Sequence, residues 1–252
     1  MMNYEPVVNR FFIDLGYHVE KIAESDEESP DFLIFDDTSS YVLELKTKFP
    51  SEAEIEERKE LLDAGEIHNI HELIIRKNRL SGIIKKATTQ LRGYEEKDIL
   101  RIVWLLATGH IAEPRLHQLE ATLYGLTTLV DWSNQRACNC YFFYNSDFFR
   151  YRDVLDAAIV STESEVKLLL NPLSPRYAQI KNSSLPNHLG KAVVDPIEIE
   201  KEGKAFFVDS DVDRSDKEAV LRYLREKYKS DNILIITMNF MSGTIATPRT
   251  TE

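Results

Sequence analysis

The chain has 252 residues, 43% of them apolar and 29% charged, which is the composition of a soluble globular protein large enough to bury a core without disulfides. No apolar run reaches about 18 residues, so no membrane span is expected. MMNYEPVVNR at the start has no basic segment leading into an apolar one, so no secretory signal is read and a cytoplasmic location is expected.

Residues 4–15 carry Val7, Val8, Phe11, Phe12 and Leu15 at helical spacing, and Gly16 follows as a stop. Tyr17–Ile22 alternates like a short strand, and the polar run 23–29 reads as a loop. Asp31–Phe35 and Tyr41–Thr47 are apolar, β-prone runs joined by Asp36-Asp37-Thr38-Ser39-Ser40, which is turn chemistry, so the two form a hairpin. A charged helical insertion is expected at 52–63, then a long helix over about 71–96 with Leu80, Ile83, Ile84, Ala87 and Leu91 as its apolar stripe. Ile99–Ala107 is nearly continuous in apolar residues, as in a central strand covered on both faces. Glu113–Tyr124 reads as a helix and Thr127–Trp132 as a strand.

Beyond a boundary placed at 132/133 the character changes. Residues 137–144 and 154–170 are strand-like and rich in aromatics, and Pro172, Pro175, Pro186 and Pro196 punctuate a loop-rich stretch. Ala205–Val208, a helix at 216–229 and Ile233–Met238 form a strand–helix–strand unit, with Ser215 and Glu218 as a capping box. Cys138 and Cys140 fall on one face of a strand and are read as buried free thiols, since two thiols without a second pair make a poor zinc site. Asp209–Asp213 begins like a calcium-binding loop but has Arg214 where glycine is needed and Val220 where glutamate is needed, so it is a polar turn.

The net charge of −11 weighs against nucleic acid, because phosphate attraction dominates such binding. The charge is uneven, however. Residues 51–72 hold eight acids against Arg58 and Lys59, so six of the eleven negative charges sit in one segment. That segment, at about 51–70, is too acidic to build a core. It would serve as a lid, a dimer arm or a partner surface.

The chemistry concentrates in Ser29-Pro30-Asp31-Phe32-Leu33-Ile34-Phe35 and Tyr41-Val42-Leu43-Glu44-Leu45-Lys46. Glu44 and Lys46, two apart on a strand, share a face, while Leu45 points to the other. Asp31 opens the partner strand. Two carboxylates there can hold a hard cation through oxygen, and an ammonium beside them can position a water or stabilise charge on a phosphate. The bland alternative is a solvent-facing Glu–Lys pair at a sheet edge with Asp31 as a turn residue.

This pattern resembles the PD-(D/E)xK nuclease superfamily, which includes restriction endonucleases, Holliday-junction resolvases and RecB-type exonucleases. Pro30-Asp31 stands for the P-D, and Glu44-Leu45-Lys46, with Glu44 thirteen positions after Asp31, for the E-x-K. The resemblance spans roughly residues 1–132. It implies an α/β fold, a restriction-endonuclease-like mixed sheet flanked by helices, here followed by a C-terminal α+β extension over 133–252. It implies Mg2+, with Mn2+ as a substitute, held by Asp31 and Glu44, with Lys46 acting on the attacking water. Glu5, eleven positions before Gly16, would assist the metal through water; its alternative is a first-turn glutamate favoured by the helix dipole. Gln90-Leu91-Arg92-Gly93-Tyr94 resembles the Q-x-x-x-Y element of RecB-like members, with Gln90 and Tyr94 on one helix face; its alternative is a polar helix shoulder with a half-buried tyrosine. Arg79, Lys86 and Arg92 are candidates for phosphate contact. The implied function is magnesium-dependent phosphodiester hydrolysis, of DNA first, in restriction, repair or defence against phage. The rivals are a nuclease-fold subunit active only within a nucleic-acid-processing complex, and a non-enzymatic interaction protein. A second copy or a larger complex would attach through the acidic segment or the C-terminal region.

Overall fold

In the computed structural model, which describes residues 3–23, 29–48, 52–96, 98–236 and 239–245, Val8 and Phe12 bury one side of helix α1 (Glu5–Asp14). Gly16, at φ +90, reverses the chain after it. Strand β1 (His18–Lys21), β2 (Phe32–Phe35) and β3 (Ser40–Lys48) then form an antiparallel meander, with Phe32 opposite Leu43 and Phe35 opposite Ser40. This is the expected hairpin. Five residues of the loop expected at 23–29 lie outside the described residues. Helix α2 (Glu52–Asp63), strand β4 (His68–Leu73) and helix α3 (Asn78–Arg92) precede β5 (Leu100–Ala107), which pairs in parallel with β3.

Past residue 107 come α4 (Ala112–Tyr124), β6 (Thr127–Asp131), β7 (Arg136–Tyr141) and the short α5 (Asp147–Arg150). They are followed by β8 (Ala157–Ser161), β9 (Val166–Leu170), α6 (Tyr177–Lys181), α7 (Ser184–Leu189) and β10 (Val193–Val194). The chain continues with α8 (Pro196–Lys201), β11 (Phe206–Phe207), α9 (Lys217–Tyr228), β12 (Ile233–Ile236) and β13 (Phe240–Ile245). Among the described residues no helix is long and apolar enough to cross a membrane.

The result is an α/β protein built on a mixed seven-stranded sheet in the order β1-β2-β3-β5-β8-β9-β10. Alternate residues of the central strands feed two separate cores. Val42, Val103, Leu105, Ala158 and Val160 pack under α3 and α4, whereas Tyr41, Leu43, Ile102, Trp104 and Ile159 pack under α1, α6 and α7. Every residue of β5 is buried, which is why Leu-Arg-Ile-Val-Trp-Leu-Leu-Ala reads as an unbroken run. Its one charge, Arg101, donates to the carbonyls of Leu91, Tyr94 and Glu96 and so caps the end of α3. The sheet takes β8, β9 and β10 from beyond residue 133, so a cut there divides the sheet. A second sheet of four strands, β11-β7-β6-β12, is not hydrogen-bonded to the first but packs into the same core through Leu129, Cys140, Phe206 and Ile233, and β4 pairs with β13 as a two-stranded ribbon.

Three local expectations change. The helix expected over about 71–96 is strand β4 followed by α3, ending at Arg92. Pairing of β4 with a segment some 170 positions later overrides the local helical signal, and Gly93 with the Arg101 cap ends the helix. The cap of α9 is Asp216, whose carboxylate accepts the amides of Glu218 and Ala219 at 3.0 Å each; Ser215 is held instead by Asp213. Of the thiols, Cys140 is buried and Cys138 only half so. Among the described residues, the acidic α2 contributes none to either core. It docks through Glu54, 3.6 Å from Arg115 of α4.

Gly125 turns α4 into β6 in the left-handed region at φ +62, and a Cβ there would run into the carbonyl oxygen of Tyr144. Both strain and overlap oppose a side chain. Gly125→Ala is expected to destabilise the fold by on the order of 2–3 kcal/mol, read as a lower urea midpoint at unchanged slope.

Candidate active site

The hairpin register puts Asp31 one step past the Phe32–Leu43 pair, at the open end of β2. Its amide donates to the Leu43 carbonyl at 3.1 Å, and its carboxylate Oδ2 accepts the amide of Leu45 at 2.7 Å. The side chain thus continues the ladder where the backbone of β2 stops. This clamps the Asp31 carboxylate beside the segment that carries Glu44 and Lys46. The buried Pro30 stiffens the approach.

Glu44 and Lys46 point to the face under α3, and Leu45 to the other, as strand alternation requires. The Glu44 residue is fully buried. Its Oε1 accepts from Lys46 Nζ, while Oε2 is buried without a hydrogen-bond partner. Burial, reinforced by the nearby Asp31 charge and opposed by Lys46, pushes the Glu44 carboxyl from its ordinary 4.5 up to about 7. Lys46 also donates to Gln90 Oε1 at 2.7 Å, and Gln90 Nε2 donates to the Ser29 carbonyl at 3.2 Å. The amide of Gln90 therefore bridges α3 to the loop entering β2, across the top of the two carboxylates.

An orphan carboxylate oxygen in a dry site costs free energy unless something meets it. Asp31 and Glu44 together offer hard oxygen donors. Among the described residues no group of three or more His, Cys, Asp or Glu could hold a metal ion. Two carboxylates suit a cation that keeps much of its water and takes further oxygens from phosphate, as magnesium does.

The remaining sequence candidates divide. Gln90 joins the cluster. Glu5 does not: α1 covers the opposite face of the sheet, and the Glu5 carboxylate is paired with Lys21 at 2.7 Å. Tyr94 lies beyond the end of α3, so it does not share a helix face with Gln90. Its hydroxyl is pushed up by burial and by the charges of Glu96 and Glu20. Arg79 and Lys86 are exposed and recur with Gln90 at i, i+7 and i+11, close to one line along α3. Arg92 falls on the other flank and is paired with Asp153 at 2.9 Å. Sequence reasoning missed the Ser29 carbonyl and the Leu45 amide, since a backbone group leaves no residue-type signal. Comparison of the chain with family models, curated proteins and solved structures returned no match.

A carboxyl whose folded value is raised binds more protons folded than unfolded, so its burden on stability is absent below about pH 4.5 and grows as pH rises through about 7. Metal-free Glu44→Gln should therefore match the wild type at about pH 4 and exceed it by about 1–3 kcal/mol at about pH 8. Denaturation curves at the two pH values check this; a variant weaker at both would mean that the Lys46 contact outweighs burial.

Proposed function

We propose that the chain is a magnesium-dependent nuclease that hydrolyses phosphodiester bonds, with DNA as the first substrate. The reading rests on one observation: a fully buried glutamate with an unpartnered Oε2, set beside an aspartate and a lysine at the end of a hairpin. It agrees with the PD-(D/E)xK pattern in the sequence. Asp31 and Glu44 would hold the cation, which when bound supplies Lewis-acid stabilisation of the phosphoryl charge and an acidified water. Asp31 is held rigid by the Leu45 amide, so its oxygens keep one position. Lys46 has three N–H donors, of which Glu44 and Gln90 take two. The third can face a water or a phosphate oxygen. Gln90 orients the ammonium. The exposed flank of α3 with Arg79 and Lys86 leads away from this point and would follow the phosphate backbone.

A second reading confines the activity to a larger nucleic-acid-processing complex. The net charge of −11 favours it, because an isolated polyanion approaches DNA slowly.

Asp31→Asn and Lys46→Ala are each expected to lower magnesium-dependent cleavage of plasmid and single-stranded DNA by about a hundredfold to a thousandfold while remaining folded. Magnesium should raise the melting temperature of the wild type and not of Asp31→Asn, because a ligand that binds only the folded state stabilises it. Variants that melt far below wild type yet still cleave would make these residues structural and end the nuclease reading.

For binding, Arg79→Ala with Lys86→Ala should flatten the dependence of DNA affinity on salt by a slope of roughly 2, equally on all sequences, whereas Arg92→Ala should leave the slope unchanged. The measurement is affinity against salt concentration. An unaltered slope in the double variant removes this flank of α3 from the interface.

A further inference from the structure

On the face of the sheet away from Glu44, the helical layer leaves a groove of about 450 Å³. Tyr4, Val7, Val8 and Phe11, at i, i+3, i+4 and i+7 of the chain, form one wall, and Trp104 and Leu106 of β5 form the floor. The turn between β8 and β9, from Ser161 to Val166, forms the other wall. The groove opens at the C-terminal ends of β5 and β8, the end of an open α/β sheet at which ligands bind. Val8 is buried in the core while Val7 on the groove side stays 53% exposed, so α1 shows the groove an unpartnered apolar flank.

The rim carries charge of one sign. Glu163 and Glu165 border the groove, and Glu113 borders an adjoining hollow of about 360 Å³ that shares Thr162, Glu163 and Ser164. Neither has a lysine or arginine among its described lining residues. Glu165 is balanced in part by Lys167 at 3.4 Å, outside the lining, and Glu163 accepts the Tyr4 hydroxyl at 3.5 Å, which leaves its charge uncompensated there. An apolar trough with an acidic rim repels phosphate and carboxylate and suits an apolar surface edged with cations.

We propose that this groove docks an amphipathic helix of a partner protein, with apolar side chains laid between α1 and the β8–β9 turn and lysines or arginines beside Glu163 and Glu165. The α1 wall runs about 10 Å, from its first to its last groove residue at 1.5 Å each, which matches two turns of a docked helix. Helices seated in apolar grooves use anchors at this same i, i+3, i+4, i+7 spacing. The surface is separated from Asp31, Glu44 and Lys46 by the thickness of the sheet, so docking does not rest on the nuclease reading and both sites can be occupied together.

The probe is a fluorescent peptide of about 15 residues, long enough for a helix, with leucines at that spacing and lysines elsewhere. Its anisotropy is titrated against the full chain. Saturable binding is expected, with none for the same peptide carrying glutamates in place of lysines. Val7→Asp should weaken binding by about tenfold or more. That substitution adds a negative charge, so attraction of a cationic peptide to an acidic protein in general would strengthen instead. Glu163→Lys should weaken binding comparably, and Phe240→Asp on the remote β13 should not. Asp31→Asn should bind like wild type. Equal or tighter binding by Val7→Asp, or binding of the acidic peptide, overturns the proposal. So does sedimentation showing a dimer that Val7→Asp disperses, which would put a second copy in the groove.

Discussion

From Tyr41 to Lys48, β3 pairs residue for residue in parallel with Leu100 to Ala107 of β5, and the rest of the structure follows from that ladder. Parallel neighbours cannot be joined by a tight turn, so the chain must leave β3, cross the sheet and return. The crossing carries α2, β4 and α3. Because α3 returns over β3 and β5, and α1 covers the reverse side, the stretch of β3 from Tyr41 to Glu44 is shut off from water on both faces. Val42, Leu43 and Tyr41 gain from that. Glu44 does not, and its fully buried carboxyl is held near neutrality in charge preference by the same burial that stabilises its neighbours.

Such a position constrains everything around it. Lys46 pairs with Glu44 through Oε1 alone and is itself tethered by Gln90. Asp31 adds a second negative charge instead of a counter-charge, and its aim is set by the Leu45 amide. Two like charges brought together at a buried carboxyl oppose folding, which is the cost this arrangement carries in the absence of a cation. The buried Arg101 and the half-buried Arg176 differ from this cluster, since their donors are taken by backbone carbonyls and by Asp156.

The acidic excess has a comparable order. α2 lies outside both cores, and its Glu54 meets Arg115, while Glu72 of β4 takes the side-chain amide of Gln118 at 2.7 Å and lies 3.7 Å from Lys77. The insertion is thereby joined to α4 and to the start of α3, not left as a free charged arm. Its strand β4 is completed by β13 from the far end of the chain. A two-stranded ribbon has little stability alone, and this one leaves Leu73 and Phe240, a cross-strand pair, largely exposed on its outer side.

The sequence by itself determined the parts whose cause is local. The hairpin, the shared face of Glu44 and Lys46, α1 with its Gly16 stop, the buried β5 and the helical insertion are all written in periodicity and turn residues, which act over a few positions. It also placed Asp31 beside that face, because a hairpin register is short-range. Tertiary structure decided what depends on distant partners. β4 is a strand because β13 is there to pair with it, and α3 stops where Arg101 reaches its last carbonyls. Tyr94 is carried off the helix by that stop, and Glu5 is turned to Lys21 on the far side of the sheet. The sheet also recruits β8 to β10 from the half whose sequence gave no sign of belonging to it. Above all, the burial that makes Glu44 reluctant to ionise comes from α3 and the sheet closing over it, and no spacing of residues along a chain can express the loss of water from a carboxylate.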